Sequence, residues 1–153
     1  GLTVSVMQLF EDTLEAVTAL ALFIPLLVGT GGNVGAQAAT AAVRALALGE
    51  VRPSDVVRVA WREARVGLLL GLGLGVVALG IGSIVVDFPV ATVVGISVIG
   101  ICTWAATVGS VMPLLARAVR IDPAVISAPL VTTLVDATGL LIYFLVAAAV
   151  LGL

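Results

Sequence analysis

The sequence predicts an all-α, polytopic membrane helix bundle. Three observations carry this. The 153-residue chain is 61% hydrophobic and only 10% charged, where soluble domains carry about 25% charged residues. Its mean hydropathy is +1.31. Its charges gather in short segments between uncharged runs, and those runs reach the roughly 20 residues that a bilayer-crossing helix needs.

The elements follow from these runs. Gly1–Phe10 is apolar but too short to span, so it reads as the end of a helix that began earlier. Gly1 is not an initiator Met, and a longer parent chain is expected. Ala16–Val43, Val66–Val86 and Phe88–Ala116 are uncharged, and Pro123–Leu153 is interrupted only by Asp136. The expectation is four complete helices plus the end of a first helix, in one membrane domain covering residues 1–153. Pro53, Pro89 and Pro123 fall at helix starts, where a missing N–H costs nothing, and Asp122 is placed to cap the last helix. Pro25, Pro113 and Pro129 fall inside apolar runs, where each is expected to kink or interrupt its helix.

Charge placement sets the orientation. All seven basic residues are Arg: Arg44, Arg52, Arg58, Arg62, Arg65, Arg117 and Arg120. They lie between the second and third spans and between the fourth and fifth. The other connections carry Glu11, Asp12, Glu15 and Asp87 with no basic residue. The positive-inside rule makes the Arg-bearing segments cytoplasmic and the C-terminus external. No secretory signal is expected, because the first residues lack a basic region and a cleavage site. Gly67, Gly71 and Gly75 form a small-residue face on the third helix, suited to close packing within the subunit or to a subunit interface.

Several chemistries are excluded. The chain has no His and one Cys, Cys102, so imidazole ligation and an intrachain disulfide are out. It has no nucleophile–base pair, no nucleotide-binding loop and no second intramembrane acid, which argues against an enzyme. No nucleic-acid partner is expected; membrane lipid is.

What remains points to cations. An acid in the middle of a membrane helix is costly and normally faces a pore, a cavity or a partner. Asp136 is such an acid. The bland alternative is a carboxyl that is protonated or hydrogen-bonded inside the bundle, to Thr132, Thr133 or Tyr143. The segment Pro25–Thr40 is the second unusual feature. Gly29, Gly31, Gly32 and Gly35 permit unwound backbone, and Gly29-Thr30-Gly31-Gly32-Asn33 reads as a helix break. Asn33 and Gln37 share a face, as do Gly32, Ala36 and Thr40. Freed carbonyls and amide oxygens would suit a hard dication such as Mg²⁺ or Ca²⁺. A glycine-rich packing face is the alternative. Glu11, Asp12 and Glu15 read as a solvated loop or as a cation-concentrating entrance. Arg58, Arg62, Glu63 and Arg65 read as an interface anchor, and Trp61 and Trp104 as interface or packing residues.

These two segments resemble the MgtE-type magnesium channel/transporter family. The resemblance lies in Pro25-Leu26-Leu27-Val28-Gly29-Thr30-Gly31-Gly32-Asn33 with Gln37, and in Leu14–Leu20 before it. It continues in Asp122-Pro123-Ala124, Pro129-Leu130-Val131 and Asp136-Ala137-Thr138-Gly139-Leu140-Leu141-Ile142-Tyr143. It covers nearly the whole chain. It implies a homodimer of five-helix subunits in a bacterial inner or plasma membrane, with a pore on the two-fold axis lined by the second and fifth helices. Asp136 would be the central cation-selecting residue. Gly29, Gly32 and Thr132 would supply backbone oxygens, with Asn33, Ala36, Thr40 and Ala128 at further ion-facing positions. The transported ion would be Mg²⁺, with other dications as company. Where Ala36 and Ala128 stand the family often has polar residues, so secondary ion sites are weakened here. Nothing in the chain resembles the cytoplasmic regulatory domains that many members carry. An exchanger coupled to Na⁺ or H⁺ is the alternative transport mode, and a non-transporting membrane scaffold the alternative class.

Overall fold

The structure is a computed structural model that describes residues 2–11, 17–126 and 128–153. Five α-helices make up the described chain: α1 (Leu2–Leu9), α2 (Ile24–Ala47), α3 (Val56–Val85), α4 (Phe88–Ala118) and α5 (Ala128–Leu151). Short 3-10 turns at Thr18–Phe23, Pro53–Asp55 and Pro123–Val125 lead into α2, α3 and α5. No strand occurs among the described residues. Four helical stretches are long and apolar enough to cross a membrane: Thr18–Ala47, Pro53–Val85, Phe88–Ala118 and Ala128–Leu151. This is the expected bundle, with α1 as the short first helix.

The helix ends follow local chemistry. Asp87 accepts the Val90 N–H at 3.3 Å with Pro89 in the first turn of α4. Asp122 accepts the Ala124 N–H at 3.0 Å, as expected of a cap. Gly49 ends α2 at φ +72, where a side chain would be strained. The Arg cluster occupies the first turns of α3, with Arg58 paired to Asp55 at 3.0 Å.

Two expectations need correction. First, α2 is unbroken through Gly29-Thr30-Gly31-Gly32-Asn33. A helix in lipid keeps its backbone groups bonded internally, and Gly31, Gly32 and Gly35 serve close approach instead, while Gly29 faces open space. A Cβ on Gly31 would lie 2.6 Å from Ile101 Cγ2, and one on Gly35 would lie 3.0 Å from Val135 Cγ2. Second, Pro25 and Pro129 lie in the first turns of α2 and α5, where no intrahelical N–H is lost. Pro113 lies inside α4, as expected, and the helix runs on past it to Ala118. Of the Glu11, Asp12 and Glu15 group, only the exposed Glu11 is described; Asp12, Glu15 and the Leu14–Ala16 part of the motif lie outside the described residues.

The core is centred on α4, which packs against α3, α2 and α5, while α2 also packs on α5 and α1 on α5. Gly67, Gly71 and Gly75 turn toward α4 within the chain. A Cβ on Gly67 would meet Cys102 O at 2.6 Å, and one on Gly71 would meet Ile99 Cα at 2.8 Å. Leu20, Leu27, Val94, Ile101, Tyr143 and Phe144 fill the space between α2, α4 and α5. By contrast, Leu69, Val76 and Ile84 of α3 stand largely exposed, as a lipid-facing surface does.

Candidate functional site

The site is built on the seam between α2 and α5. On α5, Ala128, Thr132 and Asp136 recur every four residues and therefore share one face. All three are half-buried. On α2, Gly32 is buried against them. A Cβ at Gly32 would lie 2.9 Å from Asp136 Oδ1, and 3.6 Å and 3.7 Å from the Thr132 side chain. Gly32 thus forms a seat in α2 into which the carboxylate fits because nothing but hydrogen occupies it.

Asp136 Oδ1 is buried and has no hydrogen-bond partner among the described residues. The hydrogen bonds expected of the bland alternative are absent among the described residues. Thr132 and Thr133 both turn their hydroxyls back to Pro129 O at 2.9 Å. Tyr143 donates to Leu20 O at 2.8 Å and is fully buried. A buried carboxylate oxygen without a partner costs stability. A cation, or the water around one, is the chemistry that would satisfy it.

The rest of the polar set continues along α2. Gly29, Asn33, Gln37 and Thr40 are exposed and Ala36 is half-buried. Thr40 donates to Ala36 O at 2.9 Å, so its oxygen keeps its lone pairs for another ligand. Ala36, Gln37 and Thr40 line a cavity of about 680 Å³ that runs to Arg44, Glu50 and Arg62. A second cavity of about 370 Å³ reaches Asn33, Gln37 and Glu63 between α2 and α3. The structure therefore joins Asp136, Thr132 and Gly32 directly and sets Asn33, Ala36 and Thr40 along the same helix toward the Arg-bearing end. The unbroken α2 frees no carbonyl at Gly29 or Gly32 from the helix. No group of three or more His, Cys, Asp or Glu side chains occurs among the described residues. A bare ion has no ready cage in one chain, whereas a hydrated one needs only outer contacts.

Comparison with known proteins fits this geometry. Residues 24–146 match the MgtE family, described as a divalent cation transporter. The chain belongs to that family. It is 49% identical over 147 residues to the magnesium transporter MgtE of Thermus thermophilus, covering 95% of this chain and 32% of that protein. It is 35% identical over 150 residues to the protein of the same name from Bacillus subtilis, again over 95% of this chain and 32% of the relative. The corresponding protein of Enterococcus faecalis is 36% identical over 146 residues, at the same 95% and 32% coverage. The chain thus spans about a third of the length of the curated MgtE relatives it matches.

Two residues to which the sequence assigns other roles, Trp104 as interface or packing and Tyr143 as an alternative partner of Asp136, make hydrogen bonds that brace α5 around this candidate site. Trp104 Nε1 on α4 donates to Thr138 Oγ1 at 2.8 Å, two residues past Asp136. Tyr143 ties α5 to the turn before α2. A lone Trp inside an apolar run was the available signal for the first, since an indole N–H in a membrane seeks a partner. No local signal announces the second.

Proposed function

We propose that this chain is the ion-conducting membrane part of a Mg²⁺ transporter and that it works as a homodimer. Asp136 from each subunit faces a pore between the α2 and α5 helices of the pair. The observation that carries this is Asp136 Oδ1, buried on the seat of Gly32 with no protein partner among the described residues. The relatives named magnesium transporters supply the identity of the ion.

The mechanism follows from electrostatics. Mg²⁺ gives up its water reluctantly. Two Asp136 carboxylates present a charge of -2 to the hydrated dication, and contacts run through water to Asn33, Thr40 and Thr132. A monovalent cation gains about half as much from that field. Ala36 and Ala128 add no side-chain oxygen, so recognition rests on Asp136. The Arg-bearing segments face the cytoplasm of a bacterial inner membrane, and the C-terminus faces out.

The test is Mg²⁺ flux into proteoliposomes, comparing the wild type with Asp136→Ala, with and without an opposing Na⁺ or H⁺ gradient. The expected result is flux that ignores both gradients and falls at least tenfold in the variant. Flux that needs a gradient would establish a coupled exchanger instead. Unchanged flux in Asp136→Ala would remove the carboxylate from the mechanism.

A further inference from the structure

A second feature lies outside the ion path. Between α3 and α4, at the Arg-bearing end of both helices, an apolar groove of about 600 Å³ is lined by Val57, Trp61, Ala64, Val108, Val111 and Leu115, among others. None of these belongs to the polar face of α2 and α5. The one hydroxyl in its wall, Thr107, is turned back to Thr103 O at 2.7 Å. The groove therefore offers nothing to an ion, only close contact and exclusion from water. From Thr107 to Leu115 it follows about 12 Å of helix at 1.5 Å per residue. One leaflet of the hydrocarbon core is about 15 Å deep. The groove is thus the length of the upper part of one acyl chain.

Its rim is basic. The Arg65 guanidinium lies 5.8 Å from the centroid of the Trp61 ring. Arg65 follows Trp61 by one turn, so its backbone is deeper in the membrane. Its side chain reaches back toward the helix N-terminus and brings the charge to the boundary. Arg117, two residues past Leu115, falls on the opposite face of α4, in line with the buried Ser110 and Pro113. Arg65 has no ion-pair partner among the described residues.

From this juxtaposition we propose that the α3–α4 groove is a binding site for an anionic phospholipid. One acyl chain lies in the groove against Trp61, and the phosphate sits on Arg65. The inference rests on the helices spanning the membrane and not on the transported ion.

The test uses the two Trp residues of the chain. In a Trp104→Phe variant, Trp61 is the one remaining indole. The variant is reconstituted into vesicles mixing phosphatidylglycerol and phosphatidylcholine, with bromine on the chains of one lipid or the other to quench nearby indole. Quenching by the anionic lipid should be about three- to fivefold more effective per mole, in keeping with attraction of basic residues to anionic lipid. Adding Arg65→Gln should bring the ratio to about one, and Arg117→Gln, on the opposite face of α4, should leave it unchanged. Equal quenching by both lipids in the parent overturns the proposal. So does a preference that survives loss of Arg65, or a Trp61 that neither lipid quenches because a second protein copy covers it. Because Trp104 also bonds Thr138, native mass spectrometry of the wild-type chain gives an independent reading. Retained phosphatidylglycerol in excess of phosphatidylcholine, lost on Arg65→Gln, supports the site; no excess rejects it.

Discussion

The carboxylate of Asp136 and the missing side chain of Gly32 are one device. A Cβ at Gly32 would stand 2.9 Å from Asp136 Oδ1, too close for the carboxylate to keep its place. Gly32→Ala should therefore turn Asp136 aside without unfolding α2, since Ala favours helix over Gly by about 1 kcal/mol. The expected outcome is Mg²⁺ flux about tenfold lower, with helix content by circular dichroism unchanged. Wild-type flux would show that the seat does not hold the working carboxylate. Tyr143→Phe separates support from recognition. It removes the Tyr143 hydroxyl that the Leu20 carbonyl accepts at 2.8 Å. The loss should cost about 1 kcal/mol, seen as a lower thermal midpoint in detergent, while the preference for Mg²⁺ over Na⁺ is kept. Asp136 was legible in the sequence because a charge in an apolar run is visible without a fold. The Tyr143–Leu20 bond joins residues 123 positions apart, and no local pattern encodes it.

At the scale of the helix, glycine has two uses, and position in the fold decides between them. On α3, a Cβ at Gly71 would meet Ile99 Cα at 2.8 Å, while one at Gly73 would meet nothing within 4 Å. Gly71→Ala should lower the thermal midpoint, because a backbone neighbour cannot rotate away and overpacking costs about 1–3 kcal/mol. Gly73→Ala should raise it slightly through helix propensity. Equal effects would mean that α3 and α4 do not pack at this register. The four-residue spacing of Gly67, Gly71 and Gly75 announced this contact from sequence alone. The same residue type misled on α2, where Gly29, Gly31, Gly32 and Gly35 read as a break and proved to lie in a continuous helix. Composition records that glycine permits both outcomes. It does not record that Ile101, Val135 and Asp136 stand where the side chains would have been. The prolines show the same limit: Pro25 and Pro129 read as interior until the helix starts at Ile24 and Ala128 were known.

At the scale of the whole molecule, one chain leaves its polar seam open. Gly29, Asn33, Gln37 and Thr40 are exposed on α2, a helix long and apolar enough to cross the membrane. Amides facing hydrocarbon are expensive, so this face meets either water or a second copy of itself, and a two-fold pore supplies both. Cysteine chemistry distinguishes the cases cleanly, because the one native thiol, Cys102, is buried. With Asn33→Cys, a short bifunctional thiol reagent should link two subunits covalently in the membrane. With Leu69→Cys, on the exposed face of α3 where the side chain is 70% exposed, it should not. Millimolar Mg²⁺ should slow the Asn33→Cys reaction if a hydrated ion occupies the seam. Linkage at both positions would point to collision in a crowded membrane. Linkage at neither, together with intact flux, would place the whole path inside a single chain, where the wet seam of α2 and α5 and a single Asp136 would have to carry a dication alone.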